Sequence, residues 1–118
     1  MALTSSIPVL RAADYPATRD MLLALGFEIA EEGGDPPRFG IFRKDAATVF
    51  VDAWHGADAT PAPCWRAYFH TDDVLAVAER ARAAGLPTEG PVETVYAMRE
   101  VTVTDPDGNR LCFGQDMP

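Results

Sequence analysis

The sequence is poor in the residues that several classes of protein require. Only two cysteines and two histidines occur among 118 residues, and 18 acidic residues outnumber ten basic ones, giving a net charge of −8. Nucleic-acid binding needs clustered basic side chains, so we expect no nucleic-acid partner. No apolar run approaches the roughly 18 residues that a membrane helix requires. The N-terminus has no basic start followed by an apolar segment, so we expect no signal peptide and a cytoplasmic location.

What the sequence does contain is typical of one small globular domain. Its hydrophobic fraction of 47% is ordinary for such a protein. A chain of this length buries about two-thirds of its unfolded surface, and we expect a single domain over residues 1–118. Without a secretory signal, Cys64 and Cys112 are expected to be reduced thiols rather than a disulfide.

An internal repeat organises the chain. Asp14 precedes a helix-like segment that stops at Gly26, and Asp73 precedes another that stops at Gly85, with the same spacing of twelve residues. In each copy a strand ends, acidic residues stand where a helix N-terminus favours them, and a glycine ends the helix in the left-handed conformation. The repeat therefore predicts two copies of one βαβββ unit.

The two copies are called module 1, about residues 1–56, and module 2, about residues 64–118, with a linker over about 57–63. We expect helices over about 15–25 and 72–84, the second with Thr71 as its cap. The expected strands after them are 27–30, 38–43, 48–54, 91–94, 98–104 and 110–114. The predicted fold is α+β, with curved mixed sheets, one helix on each, and a cup-shaped ligand face.

Alternation along the strands assigns side chains to two faces of these sheets. The mostly apolar face, to which Trp65, Ala67 and Phe69 are assigned, needs the cover of the helices. The other face mixes large aromatics with charges of both signs, which is unlike a plain solvated sheet and typical of a ligand site. The candidate ligand-binding residues are Phe50, Asp52, Trp54, Arg66, Tyr68, His70, Tyr96, Met98, Glu100 and Cys112. The alternative is a structural face, buried in a dimer or between the halves, in which Arg66 pairs with Asp52 or Glu100.

The most specific stretch runs from Tyr96 to Gly114 and reads YAMREVTVTDPDGNRLCFG. It resembles the Y-G-M-R-E-F-x-V-x-D-P-D-G-N-x-L-x-F segment of bleomycin-resistance-like proteins, with Ala97 where a glycine is usual. With the paired modules, it makes the chain resemble the vicinal-oxygen-chelate superfamily, which includes glyoxalases and bleomycin-resistance proteins.

Metal-dependent members of that superfamily carry one ligand on each of four strands, and the resemblance maps those positions onto Ile7, Asp52, Arg66 and Cys112. Isoleucine has no donor atom, and a guanidinium repels a divalent cation. The remaining carboxylate and thiol are fewer than the three protein ligands of a typical catalytic zinc centre. We therefore expect no metal and no other cofactor.

The resemblance then implies a metal-free homodimer that sequesters an aromatic or cationic small molecule, such as an antibiotic. Aromatic side chains would stack on flat rings, and Asp52 and Glu100 would attract positive charge. Two alternatives stay open: a metal-dependent lyase or dioxygenase of the glyoxalase type, and an interaction protein with a filled cup. A nucleophilic role for Cys112 would need a base such as His70, and an inert buried cysteine is the ordinary expectation.

Overall fold

Two four-stranded sheets and two helices make up the computed structural model, which describes residues 1–118. In chain order the elements are β1 (Val9–Arg11), α1 (Tyr15–Ala24), β2 (Glu28–Gly33), β3 (Phe39–Lys44), β4 (Ala47–Asp52), β5 (Trp65–His70), α2 (Val74–Ala83), β6 (Thr88–Glu93), β7 (Met98–Thr104) and β8 (Arg110–Asp116). Neither helix has the length and apolarity needed to cross a membrane.

The two sheets have the same topology, which confirms the predicted repeat of βαβββ modules. The strand orders are β1-β4-β3-β2 and β5-β8-β7-β6. The first strand of each module pairs in parallel with the last, Val9 opposite Phe50 and Tyr68 opposite Cys112. All other pairs are antiparallel, so both sheets are mixed, as the sequence predicts.

The helix ends follow the repeat, except that Asp14 makes no side-chain capping hydrogen bond to α1. Gly26 and Gly85 have φ angles of +97° and +75°, the left-handed conformation expected after each helix. Asp73 caps α2, because its carboxylate accepts a hydrogen bond from the Ala76 N–H at 3.1 Å. The prediction that Thr71 is the cap is wrong. Its hydroxyl accepts instead from the Asp73 N–H, one step before the helix begins.

One hydrophobic core of 17 buried residues extends through both modules. Alternate residues of the central strands, such as Val51 and Leu111, lie in it, as the predicted alternation requires. Phe27 of module 1 meets Phe69 of module 2 edge-on at 6.0 Å between ring centroids, and Phe69 stacks on Phe113 at 5.0 Å. Aromatic contact therefore joins the two modules at the centre of the molecule.

Four strand ends differ from the prediction by two residues or more. β2 ends at Gly33 rather than at residue 30, and β8 ends at Asp116 rather than at Gly114. The other two differ for local reasons. β4 ends at Asp52 rather than at Trp54, because the Asp52 carboxylate accepts the Trp54 N–H at 2.9 Å and turns the chain. β6 begins at Thr88 rather than at Pro91, because a bulge between Glu89 and Val92 lets the strand continue through its glycine and proline.

A second bulge corrects the predicted face of Trp65. Trp65 aligns with Arg110 and Ala67 with Leu111, so Arg66 is an extra residue in β5. The extra residue reverses the alternation before it, and the Trp65 ring lies 5.2 Å from that of Tyr68. Trp65 therefore belongs to the face of Tyr68, and not to the core face of Ala67 and Phe69.

The predicted turn between β7 and β8 is present and ties the modules together. The buried Asp105 carboxylate accepts hydrogen bonds from the backbone N–H groups of Asp107 and Asn109 and from the Asn109 amide, at 2.8–2.9 Å. Burial raises the pKa of Asp105, although these hydrogen bonds oppose the change. The Asn109 amide also donates to the Arg11 carbonyl at 3.3 Å, so the turn in module 2 holds β1 of module 1.

Candidate functional site

The face of each sheet that points away from the core is called its open face. On the open face of module 2 a cleft of about 480 Å³ runs beside β5, β6, β7 and β8. Its lining residues are Pro63, Cys64, Trp65, Glu89, Val92, Glu100, Thr102 and Arg110. The cleft thus combines an indole and an aliphatic wall with two carboxylates and one guanidinium.

Glu100 is the buried polar centre of this face. It is 8% exposed, and its Oε2 atom accepts the hydroxyl hydrogens of Tyr68 at 2.8 Å and Tyr96 at 2.7 Å. No basic side chain forms an ion pair with it, since Arg110 pairs with Glu89 at 3.3 Å. A buried carboxylate is normally paired with a cation, because burial without one is costly. Glu100 is therefore a buried carboxylate that two hydroxyl groups hold and that no basic side chain of the protein pairs with.

The two tyrosines are held as neutral hydrogen-bond donors. Burial, followed by the hydrogen bond to Glu100, raises the pKa of Tyr68 well above its usual value. For Tyr96 the hydrogen bond to Glu100 is the main reason that the pKa is raised. Gly114 makes room for this arrangement, because a Cβ there would overlap the Tyr68 hydroxyl. Both phenols thus remain protonated at neutral pH and orient the carboxylate.

Cys112 lies next to this group but has the chemistry of a core residue. It has no exposed surface, and burial raises the pKa of its thiol to about 11, against the effect of a hydrogen bond with Thr102. The thiolate is the nucleophilic form, so a thiol with this pKa is inert at neutral pH. His70, the base that a nucleophilic role would require, is exposed and contacts the Tyr68 ring at 5.4 Å between centroids.

Thiol titration should separate the two cysteines. Cys64 is exposed and Cys112 is buried, and no disulfide joins them. We expect Ellman's reagent at pH 8 to modify one thiol per native chain rapidly, and both thiols in guanidinium chloride, because unfolding restores an ordinary cysteine pKa of about 8.5. The Cys64→Ser variant is the control and should give almost no native signal. Rapid modification of that variant would show that Cys112 is accessible and reactive.

The open face of module 1 carries an aromatic cluster. Phe39 stacks on Trp54 at 5.6 Å with an interplanar angle of 10°, and it meets Phe50 edge-on at 5.4 Å. Trp54 is 50% exposed, so one face of the cluster is open to solvent. This is a hydrophobic surface on which a second aromatic group can stack.

Asp52 borders this cluster and is already engaged. One carboxylate oxygen accepts the Trp54 N–H, and the other lies 2.5 Å from Nδ1 of His55. Partial burial opposes ionisation of Asp52, but the hydrogen bonds with His55 and Trp54 outweigh it and lower its pKa. The Asp52 carboxylate is therefore held by a backbone N–H and an imidazole, whereas Glu100 is held by two tyrosine hydroxyls.

The structure brings eight of the ten predicted residues together in two groups and leaves two outside. Module 2 gathers Tyr68, Tyr96, Met98, Glu100 and Cys112, and module 1 gathers Phe50, Asp52 and Trp54. The two outside are His70, at the exposed end of β5, and Arg66, which lies between the modules.

The predicted alternative pairing of Arg66 with Asp52 or Glu100 is wrong. Arg66 forms an ion pair with Asp58 of the linker and donates to the Asn109 amide oxygen at 3.3 Å. The bulge in β5 displaces Arg66 from the regular alternation. The Asp52 carboxylate instead contacts His55, and the Glu100 carboxylate accepts from two tyrosines.

Of the eight residues that line the cleft, sequence reasoning predicted only Glu100, and it also missed Phe39 in the aromatic cluster of module 1. Phe39 could have been found, since extending the alternation to β3 places it opposite Asp52 in the register. Trp65 and Val92 could not, because both adjoin bulges that alternation does not predict.

The family model for the Glyoxalase/Bleomycin resistance protein/Dioxygenase superfamily matches residues 7–113. The chain belongs to this superfamily. No curated protein matches the sequence significantly.

Solved structures with the same fold include an antibiotic-binding protein and two proteins of bleomycin resistance or binding. The chain is similar to TnmS3, an antibiotic-binding protein from Streptomyces sp. CB03234, with TM-score 0.79, 22% identity and coverage of 98% of both chains. It is also similar to the bleomycin resistance determinant encoded on the transposon Tn5, with TM-score 0.78, 18% identity and coverage of 97% and 98%. A third is a bleomycin-binding protein complexed with bleomycin, with TM-score 0.76, 17% identity and coverage of 97% and 99%. At these identities the likeness concerns the fold.

The residues at the four positions where metal-dependent members of the superfamily bind an ion do not fit a divalent cation. Ile7 offers no donor atom, and Arg66 is itself a cation paired with Asp58. Asp52 and Cys112 then give at most two ordinary ligands, whereas a typical catalytic zinc centre has three from the protein. Nowhere in the chain do three or more histidine, cysteine, aspartate or glutamate side chains cluster.

Proposed function

We propose that this chain is a cytoplasmic, metal-free binding protein that sequesters a small aromatic cation on its open faces. The observation that carries the proposal is Glu100, a buried carboxylate with two tyrosine donors and no cationic partner. A positively charged ligand would supply that partner. Hydrogen bonds that involve a charged group are roughly twice as strong as neutral ones, so this residue would dominate affinity.

The aromatic part of the ligand is inferred from the walls around Glu100. Trp65 and Tyr96 are 42% and 56% exposed, although both belong to a face with a buried acidic centre. Exposed rings beside a carboxylate favour a flat cation, which gains stacking and cation–π contact together with charge pairing. Two structural relatives, an antibiotic-binding protein and a bleomycin-binding protein, support an antibiotic-like ligand of this class.

The binding unit we propose is a homodimer. The accessible surface of the chain is 7016 Å². That is above the roughly 6,300 Å² of a compact monomer of 12.8 kDa. Large apolar side chains on both open faces are exposed, with Trp54 at 50% and Val92 at 59%. Association that brings open faces together would cover these side chains and enclose the ligand between two aromatic surfaces.

The proposed absence of a metal rests on the donor set at the four mapped positions. Without a bound cation to act as a Lewis acid, these residues offer no group that polarises adjacent substrate oxygens. The protein's own residues instead bind and orient a ligand: the tyrosines fix the carboxylate, and the aromatic rings provide contact area.

The proposal is tested by calorimetry on protein purified without chelator, with proflavine as a planar cation, bleomycin as an antibiotic, and fluorescein as a planar anion. We expect saturable binding of proflavine, weaker or no binding of fluorescein, and a mass in sedimentation equilibrium near twice 12.8 kDa. Absence of heat with both proflavine and bleomycin at millimolar concentration would overturn the binding role. Stoichiometric zinc, nickel, manganese or iron in elemental analysis would instead favour the metal-dependent lyase or dioxygenase.

A further inference from the structure

A crevice of about 420 Å³ lies between the two sheets; it shares no lining residue with the Glu100 cleft, although Tyr68, which donates to Glu100, borders it. It is bordered by the segment leading into β1, the start of β4, and β5; its lining residues are Ser6, Ile7, Pro8, Ala46, Ala47, Thr48, Arg66, Ala67, Tyr68 and Phe69. Most of these side chains are apolar or small, and Arg66 is the only charged one. The crevice is therefore an apolar space with one cation at its border.

That cation belongs to a pair of arginines that share one carboxylate. Arg66 Nη2 contacts Asp58 Oδ2 at 2.5 Å, and Arg11 Nη1 contacts Asp58 Oδ1 at 2.8 Å. Arg11 ends β1 and Arg66 is the bulge residue of β5, so one arginine comes from each module. Neither forms an ion pair with any other acid, so the three residues carry one excess positive charge.

Asp58 lies in the linker, whereas its two arginine partners lie on strands. It lies between β4 and β5, in a stretch without helix or strand. Its side chain is 29% exposed and that of Arg66 is 32% exposed, so water reaches the pair. Exposed ion pairs contribute little to stability, and exchange of this carboxylate for another would therefore cost little.

We infer that Arg66 and Arg11 form a binding site for a small carboxylate with an apolar body, and that Asp58 is its internal competitor. The ligand carboxylate would take the place of the Asp58 carboxylate on the two guanidiniums, whose planar donors match carboxylate geometry. Arg66 is the member of the pair that borders the crevice, so the apolar body would extend from its guanidinium into the crevice beside Ala67. This site differs in place and in ligand charge from the Glu100 cleft, and it does not depend on the function proposed for that cleft.

Benzoate is the probe, with benzamide as its neutral analogue and inorganic phosphate as an anion without an apolar body. Titration of the full chain by calorimetry should show benzoate binding and no benzamide or phosphate binding. Asp58→Asn should tighten benzoate binding by about three- to tenfold, because the competing charge is removed. Arg66→Gln should weaken it more than tenfold, since the guanidinium at the crevice is lost.

Arg99→Gln is the matched control, because Arg99 is an exposed arginine whose ion pair with Glu93 lies on β7 and β6. It should bind benzoate as the wild type does. Equal benzoate affinity in wild type and Asp58→Asn, or in wild type and Arg66→Gln, would overturn the site and leave Asp58 as a structural tether.

Circular dichroism checks the fold of each variant, and if Asp58→Asn is unfolded, the comparison of Arg66→Gln with Arg99→Gln decides. Proflavine titrated into the same proteins keeps the two proposals separate, since it should bind all folded variants alike.

Discussion

Glu100→Gln is expected to weaken proflavine binding by about ten- to a hundredfold, because hydrogen bonds to a charged group contribute about 1.5–3 kcal/mol. Glutamine has nearly the same shape and keeps an oxygen that can accept from Tyr68 and Tyr96. The substitution therefore removes the negative charge and leaves the aromatic walls in place. Calorimetric titration of proflavine into wild type and variant measures the change.

Glu93→Gln is the matched control for this prediction. Glu93 is an exposed carboxylate on β6 that pairs with Arg99, and it does not line the cleft. Its loss changes the net charge equally and should leave the affinity within about twofold, as expected for an exposed pair. An equal loss of binding in both variants would mean that proflavine responds to the overall negative charge of −8 rather than to Glu100.

Urea unfolding of the same variant gives an independent test of the missing cation. If burial of the Glu100 charge is costly in the free protein, Glu100→Gln should be as stable as wild type or more stable, even though it binds less well. A clear loss of stability would show that the carboxylate serves the fold through its two tyrosine hydrogen bonds. Glu100 would then have a structural role.

Phe42→Ala is expected to lower the free energy of unfolding by about 3–5 kcal/mol, the usual cost of removing a buried phenylalanine ring. Phe42 has no exposed surface and its ring lies 6.3 Å from that of Tyr15. Truncation would leave a cavity beneath α1 that rigid strands cannot close. Urea denaturation followed by circular dichroism measures the change, provided that the midpoint and the slope are fitted together.

Phe39→Ala, three residues earlier on the same strand, is the control. Phe39 is only partly buried and lies on the open face, where it contacts Phe50 and Trp54. Removing the Phe39 ring should lower the free energy of unfolding by about 0.5–1.5 kcal/mol for each lost aromatic contact, and it should leave no cavity in the core. If the two substitutions were equally destabilising, the assignment of the two faces of β3 would be wrong.

Local signals predicted the architecture because each depends on short stretches of chain. The twelve-residue spacing from Asp14 to Gly26 and from Asp73 to Gly85 follows from the length of one helix and its glycine stop. The alternation of Val49 and Val51 with Phe50 follows from the period of a strand. The same period failed at Trp65, because the inserted residue Arg66 reversed the face on which the Trp65 side chain lies.

The sequence predicted which residues share the open face of module 2, but not which of them form hydrogen bonds or ion pairs. Alternation placed Tyr68, Glu100 and Cys112 on one face, and the structure puts them in contact with one another or with shared neighbours. It could not show that Glu100 lacks a cation while Arg66 binds Asp58. Which charged side chains form ion pairs depends on how distant segments of the chain pack together. A linker residue such as Asp58 has no periodic pattern from which its position could be predicted.

The sequence by itself therefore determined the two βαβββ modules, their family and the unsuitability of the four mapped positions for a metal. These conclusions need only residue types and spacings, because Ile7 lacks a donor atom in any conformation. The tertiary structure alone decided which side chains of the open faces are free to bind. It showed that Glu100 accepts hydrogen bonds from two tyrosines and pairs with no arginine, and that Asp58 forms ion pairs with two arginines. The physical reason is that charge pairing and burial are properties of the packed chain, whereas helix stops and strand alternation are already present in its local segments.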